Sequence, residues 1–143
     1  MPEDRPILRN VVLDCAAPRP LAEFYRQLFG LSYRPGDEPL AAGEPDPRGG
    51  EWLVLRAGSG LGIAFQRVDR FAPPTWPEGP RPQQAHLDSS VASKEELLSQ
   101  HERVLALGGR LLRDGFDDEE EPIGVYADPA GHPFCIFVAA PRP

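Results

Sequence analysis

Polar side chains that could do acid–base chemistry recur at alternate positions of two short, apolar segments. Asn10 and Asp14 lie in the first segment, and His86 and Asp88 lie in the second. In an extended strand every second side chain lies on one face, so each pair shares a face opposite apolar neighbours. If both polar faces line a cavity, their carboxylates and imidazole could hold a proton or bind a cationic or hydroxylated ligand.

A simpler interpretation stands beside this one. Asp14 and Asp88 each fall near the end of a predicted strand, where a hydrated carboxylate or a turn cap is common. We therefore treat His86, Asp14 and Asp88 as candidate catalytic residues, with the structural role as the alternative for both aspartates. His101 lies in a predicted helix and is expected to pack, and His132 follows a turn glycine and is expected to serve that turn.

Two tryptophans are candidate ligand-binding residues because of where they fall. Trp52 lies in a predicted strand, where it could belong to the core or form a cavity wall. Trp76 lies in the proline-rich segment 70–82, and a large aromatic side chain in a loop needs a surface to cover. It could close the cavity or pack against a partner subunit.

The elements that must position these residues form a unit that occurs twice. The first copy predicts a strand over residues 8–15 and a helix that begins near Pro18 and Pro20 and ends at Gly30. In the second copy a strand over residues 84–91 precedes a capping box, and the helix ends at a glycine pair; these features are Ser93 with Glu96, and Gly108 with Gly109. Its predicted buried stripe comprises Leu97, Leu98, His101, Val104 and Leu105.

Further strands complete each copy and give the order β-α-β-β-β twice. A loop rich in proline and glycine over residues 35–50 separates the first helix from two strands, 51–57 and 61–68, which flank the hairpin Gly58-Ser59-Gly60. The second copy ends with strands over 110–113, 124–127 and 134–139. We predict an α+β fold: a single domain over residues 1–143, made of two tandem βαβββ modules (7–68 and 84–139) joined by a linker (69–83). In this prediction they form a curved, cup-shaped mixed sheet with its helices on the convex face.

The composition of the chain limits the classes of partner that we expect it to bind. The net charge of −7 repels phosphate backbones, so we expect no nucleic acid partner. No apolar run approaches the roughly 20 residues that span a bilayer, and residues 1–6 lack the features of a signal peptide, which predicts a cytoplasmic protein without a membrane partner. Cys15 and Cys135 are expected to be buried thiols without a functional role.

Three motifs resemble the glyoxalase/bleomycin-resistance/extradiol-dioxygenase superfamily, the vicinal oxygen chelate proteins. They are the helix-end motif of residues 22–31 (AEFYRQLFGL), the spacing of His86 seven residues before Ser93, and the turn of residues 128–133 (DPAGHP). The similarity covers residues 7–139.

This resemblance implies a shared site with four metal-ligand positions, which fall here on Asn10, Gln66, His86 and Val138. Valine offers no donor and the two amides bind divalent ions weakly, so we expect no metal or other cofactor. His86 and Gln66 are the weak candidates for metal ligands if a divalent ion does bind. Asn10, Gln66, His86, Trp52 and Trp76 are then the candidate ligand-binding residues.

Three functions follow as alternatives. The first is a small-molecule-binding or sequestering protein with an incomplete metal site, as in the drug-binding branch that the chain resembles. The second is an isomerase, lyase or dioxygenase of this superfamily, in which His86 and nearby aspartates form a relocated or degenerate site. The third is an interaction module without a substrate. The resemblance also implies a homodimer.

Overall fold

The structure is a computed structural model that describes residues 5–58 and 60–139. Ser59 of the predicted hairpin lies outside the described residues. Module 1 contains β1 (Asn10–Cys15), α1 (Pro18–Phe29), β2 (Ser32–Tyr33), β3 (Trp52–Arg56) and β4 (Gly62–Arg67). Module 2 contains β5 (Leu87–Val91), α2 (Lys94–Leu107), β6 (Arg110–Gly115), β7 (Ile123–Ala127) and β8 (Pro133–Val138).

Each module has the same sheet topology, which confirms the predicted α+β class and the tandem βαβββ order. The chain divides into two compact units between Phe71 and Ala72, within the predicted linker. The strand order is β1-β4-β3-β2 in the first sheet and β5-β8-β7-β6 in the second. In both sheets the first strand pairs in parallel with the last strand, and the remaining pairs are antiparallel.

Helix α1 packs through the apolar stripe that its spacing predicts. Leu21, Phe24, Tyr25 and Leu28 are all buried, and the Tyr25 ring stacks on Phe65 of β4 with 5.9 Å between ring centroids. The helix ends at Gly30, whose φ of 68° is left-handed and favours glycine.

Helix α2 begins as predicted but buries less than predicted. The Ser93 hydroxyl accepts a hydrogen bond from the Glu96 backbone N–H at 3.2 Å, which confirms the cap. Leu97 and Val104 are buried, whereas Leu98 and Leu105 are 44% and 43% exposed, so their assignment to the buried stripe was wrong. The two exposed leucines each follow a buried leucine or valine by one position, which turns their side chains about 100° away from the sheet.

The strand bounds differ from the predictions mostly at the ends. Strand β1 begins at Asn10 rather than at residue 8, β5 begins at Leu87 rather than at residue 84, and β6 continues to Gly115. The sequence pattern assigned no residues to β2, because a strand of two residues has no periodicity to detect.

Two ion-paired aspartates hold the loop over residues 35–50, which also contains a short 3-10 turn over Arg48–Gly50. Asp37 is fully buried, accepts the Val54 backbone N–H at 3.0 Å and pairs with Arg34 and Arg48. The Arg19 guanidinium, on α1, pairs with the Asp46 carboxylate at 2.8 Å. The predicted loop is thus irregular but anchored.

The linker before β5 contains a loop closed by its own hydrogen bonds. The Thr75 backbone N–H donates to the Arg81 carbonyl at 2.7 Å, and the Arg81 guanidinium donates to the Pro73 carbonyl at 2.7 Å. This loop presents Trp76, which is half-buried and precedes a cis proline.

Among the described residues, neither helix combines the length and the apolar character that a bilayer crossing would require.

Candidate functional site

The polar residues of the second predicted strand lie at a pocket of module 2. The pocket has a volume of about 160 Å³. Strands β7 and β8 supply its aliphatic and aromatic wall, and the loop before β5 supplies its rim. Its lining residues are Trp76, Gln83, His86, Ile123, Val125, Pro133, Phe134 and Cys135.

His86, Asp88 and Cys135 form a cluster at this pocket. One ligand atom from each side chain lies within 4.8 Å of the other two. His86 and Asp88 share a face as alternation predicts, and both are exposed. The parallel pairing of β5 with β8 sets Cys135 opposite Asp88, and the Cys135 thiol donates a hydrogen bond to the Asp88 carboxylate.

The thiol of this cluster is protonated at neutral pH. Burial raises the pKa of Cys135 to about 12, and the Asp88 carboxylate adds to this shift by hydrogen bonding and by its negative charge. This shift disfavours the thiolate, whereas a bound metal ion would displace the proton.

The strand register corrects the position assigned to Val138. Phe134, Ile136 and Val138 alternate on one face of β8, and Phe134 stacks on Tyr126, which hydrogen-bonds to His101 of α2. Val138 therefore lies on the helix side of the sheet. The residue of β8 that meets Asp88 and the His86 pocket is Cys135, so the donor set differs from the one that the resemblance implied.

Gln83 carries an unusual polar atom at the same pocket. Its side-chain oxygen Oε1 is buried and has no hydrogen-bond partner among the residues that the structure describes. Leaving a buried acceptor unpaired costs about 1–3 kcal/mol, so a donor that reaches it is favoured. Gln83 was not among the predicted site residues.

Three predicted residues of module 1 form a row across its sheet. Asp14 pairs with Gln66 in the register of β1 and β4, and Gln66 pairs with Trp52 in the register of β3 and β4. Directly paired residues lie on the same face of a sheet. Asp14 and Gln66 are exposed and Trp52 is half-buried, so Trp52 is not a core residue.

Asn10 lies at the other end of β1, four residues from Asp14, or roughly 13 Å along an extended strand. It lines a separate cavity of module 1 with a volume of about 550 Å³. Asn10 and the row of Asp14, Gln66 and Trp52 therefore do not form one compact site within module 1.

The two remaining histidines have structural partners. His132 Nδ1 lies 2.8 Å from Asp128 Oδ2, and the other carboxylate oxygen of Asp128 accepts three backbone N–H groups of the turn, which confirms His132 as a turn residue. His101 Nδ1 lies 3.1 Å from the Tyr126 hydroxyl, which confirms that His101 packs.

Two residues of the site, Cys135 and Gln83, could not be assigned from the sequence. Cys135 is 47 residues from Asp88, and only the strand register brings them together. The available signal was alternation along β8, which puts the side chains of Cys135 and Val138 on opposite faces of the strand. Gln83 precedes its strand and carries no periodic signal.

Comparison with known proteins agrees with this architecture. The model of the family described as glyoxalase-like domain matches residues 10–137. No curated protein matches the chain.

Among solved structures, the chain is similar to a glyoxalase/bleomycin resistance protein/dioxygenase family enzyme from Burkholderia phytofirmans PsJN. That likeness has a TM-score of 0.68 and 16% identity, and it covers 93% of this chain and 98% of that one. A glyoxalase-related enzyme from Fulvimarina pelagi has a TM-score of 0.64 and 20% identity, with 94% and 89% covered. A fosfomycin resistance protein from Mesorhizobium loti has a TM-score of 0.63 and 10% identity, with 95% and 93% covered. At these identities the structures establish the fold alone.

The family match spans most of the chain, and the duplicated βαβββ topology accords with it. This protein therefore belongs to the family described as glyoxalase-like domain.

Proposed function

We propose that this protein binds a small, largely apolar molecule that carries a hydrogen-bond donor, in the pocket of module 2. The observation that carries the proposal is Gln83, which lines that pocket and whose buried side-chain oxygen accepts no hydrogen bond from any described residue. A ligand hydroxyl or amine would satisfy this acceptor, while the apolar walls would hold the rest of the molecule.

The size of the pocket limits the ligand. An apolar cavity of about 150 Å³ accepts benzene, and the pocket here has a volume of about 160 Å³. One six-membered ring or a short branched chain would fill it. Trp76, Ile123 and Val125 supply the contacts that such a group needs.

The polar rim adds selectivity. The exposed imidazole of His86 can donate or accept a hydrogen bond, and the Asp88 carboxylate beside it disfavours an anionic ligand. These groups favour a neutral or cationic molecule with a hydroxyl or amino substituent.

The test is a titration with phenol, which combines a single ring with one hydroxyl donor. A Trp52→Phe variant leaves Trp76 as the one tryptophan, so its indole N–H resonance reports binding by NMR. We expect Gln83→Leu to weaken phenol binding about 3- to 10-fold, the equivalent of one net hydrogen bond, and to leave toluene binding unchanged.

Gln84→Leu is the matched control, because Gln84 is the exposed neighbour of Gln83 and does not line the pocket. A Trp76 resonance that does not respond to phenol, or equal losses in both glutamine variants, would contradict the proposal.

A second candidate function is favoured by the cluster of His86, Asp88 and Cys135. Imidazole, carboxylate and thiolate are all zinc ligands, and three protein ligands with an open position are the pattern of catalytic sites. The three residues present therefore fit a divalent metal ion. Such an ion would supply Lewis-acid polarisation of a ligand oxygen, as in a lyase, isomerase or dioxygenase of the superfamily.

Zinc retention separates the two candidates. The protein is loaded with zinc and dialysed, and the metal is counted per chain. For the metal-dependent candidate we expect about one zinc per chain, lost in Cys135→Ser and His86→Ala and kept in the control Cys15→Ser, which removes the other buried thiol. Wild-type protein that retains no zinc would leave metal-free binding as the function and exclude the metal-dependent one.

A further inference from the structure

The cavity at the end of the module 1 sheet concentrates positive charge. It has a volume of about 550 Å³ and is lined by three arginines, Arg9, Arg34 and Arg56, together with Asn10. These are three of the 15 lysines and arginines of a chain whose net charge is −7. The four polar side chains come from the segment before β1, from β1 itself, from the residue after β2, and from β3.

A glycine, Gly62, keeps this cavity open because it has no side chain. Gly62, at the start of β4, pairs with Asn10 in the sheet and lines the cavity. A Cβ on Gly62 would lie 2.5 Å from Asn10 Oδ1 and 2.8 Å from the Leu55 carbonyl oxygen. Glycine here leaves room above the strand and lets the Asn10 carboxamide lie across it.

The positive charge of the cavity is largely uncompensated. None of the described lining residues is acidic. Arg34 shares the Asp37 carboxylate with Arg48, so a single negative charge faces two guanidinium groups. Arg9 and Arg56 are exposed and have no ion pair within the described residues. An anion entering the cavity would find guanidinium donors that are not already paired.

An apolar rim adjoins these arginines. Ile7, Leu8 and Leu61 line the cavity and are 70%, 77% and 46% exposed. Exposed apolar side chains that cluster beside charged groups mark a surface that another molecule covers. The cavity therefore offers oxyanion donors and apolar contact area side by side.

We propose that this cavity binds a small organic anion, with its carboxylate or phosphate group held by Arg9 and Arg56 and its apolar part against Leu8 and Leu61. Guanidinium groups bind such oxyanions through paired, charge-assisted hydrogen bonds, and the Asn10 amide adds a neutral donor. This site goes beyond the proposed function, because it shares no lining residue with the pocket of module 2.

Isothermal titration calorimetry on the full-length protein tests the proposal with phenyl phosphate and benzoate as probes. We expect Arg56→Gln and Arg9→Gln each to lower the affinity for the probe about tenfold, the equivalent of one charge-assisted hydrogen bond. Both side chains are exposed, so circular dichroism should show an unchanged fold. The probe that binds more tightly identifies the anionic group.

Arg113→Gln is the matched control, because Arg113 is an exposed strand arginine of module 2 outside both pockets. Specific losses in Arg9→Gln and Arg56→Gln, with Arg113→Gln unchanged, support the site. Absence of binding by both probes, or equal losses in all three variants, would overturn it, since equal losses indicate attraction by overall charge alone.

Inorganic phosphate tests the apolar part of the proposal. We expect it to bind more weakly than phenyl phosphate, and we expect Leu8→Gln to weaken phenyl phosphate while leaving inorganic phosphate unchanged. Equal affinity for both phosphates would overturn the assignment of an organic anion.

Discussion

A single buried carboxylate, Asp37, fixes the strand-adjacent part of the long loop in module 1. Burial raises the pKa of Asp37, but hydrogen bonds from Arg48, from the Val54 backbone N–H and from Arg34 outweigh it and hold the pKa below its usual range. The ionised form is therefore the one that the folded chain stabilises. In the unfolded chain the same carboxyl has its ordinary pKa of about 4.

Asp37→Asn should destabilise the protein by about 1.5–3 kcal/mol at pH 6, because the buried carboxylate loses its charge-assisted hydrogen bond to Val54 and its ion pairs with two partly exposed arginines. Since the folded pKa is lowered, this contribution is present above the unfolded pKa and disappears as pH falls through the folded value. Urea unfolding at pH 6 and at pH 3 measures both effects.

Glu44→Gln, an exposed carboxylate in the same loop, is the control and should change the free energy of unfolding by less than about 0.5 kcal/mol. A difference between wild type and Asp37→Asn that is the same at both pH values would contradict the role of the charge.

The shared faces of Asn10 with Asp14 and of His86 with Asp88 were predictable, because alternation with period 2 is a local property. The identity of the residue across the strand pair was not predictable in the same way. The resemblance implied a ligand position at Val138, whereas the register of β5 and β8 puts Cys135 beside Asp88. Register depends on contacts between residues far apart in sequence, which a single sequence does not contain.

At the scale of the element, strand β4 begins at a glycine that the sheet requires. Gly62→Ala should destabilise the protein by about 1–3 kcal/mol, since the new methyl group would collide with the Leu55 carbonyl oxygen at 2.8 Å and with the Asn10 carboxamide. Gly60→Ala, two residues earlier in the hairpin, meets nothing closer than 3.5 Å and serves as the control. Thermal unfolding of the two variants checks this, and equal stability would contradict the close approach.

Helix α2 is held at its first turn by two capping hydrogen bonds and buries few of its side chains. Ser93 accepts the Glu96 N–H, and the Glu96 carboxylate accepts the Ala92 N–H at 2.8 Å, while Leu97 and Val104 are the buried residues of the helix. The cap was predictable because Ser followed by Glu three residues later is a local signal. The exposure of Leu98 and Leu105 could not be predicted from the sequence, since it depends on how the helix lies against its sheet.

Ser93→Ala should therefore destabilise the protein by about 1 kcal/mol through loss of the cap. Ser99→Ala, at an exposed position inside the same helix, should be neutral or slightly stabilising, because alanine is the better helix former. Urea unfolding followed by circular dichroism distinguishes the two. Equal effects of both substitutions would show that the cap contributes nothing beyond helix propensity.

At the scale of the whole molecule, two modules with one topology carry different chemistry. Module 1 has a cavity lined by arginines, and module 2 has an apolar pocket with an imidazole, a carboxylate and a thiol at its edge. The duplication was visible in the sequence because each copy repeats local signals: a strand, a helix and a glycine stop. The arginine cavity was not visible there, because its three arginines are spread over 48 positions, from Arg9 to Arg56, and meet only through the sheet. The homodimer and the cytoplasmic location stay predictions.

This division of chemistry predicts that each probe responds to substitutions in one module alone. Phenyl phosphate carries an oxyanion and no donor, so it suits guanidinium groups and is repelled by the carboxylate of Asp88. Phenol offers a donor without a charge and suits the unpaired Gln83 oxygen. Measured with both probes, Arg56→Gln should weaken phenyl phosphate and leave phenol unchanged, and Gln83→Leu should do the reverse. A substitution that weakens both probes would contradict the assignment of two separate sites, because the two pockets have no lining residue in common.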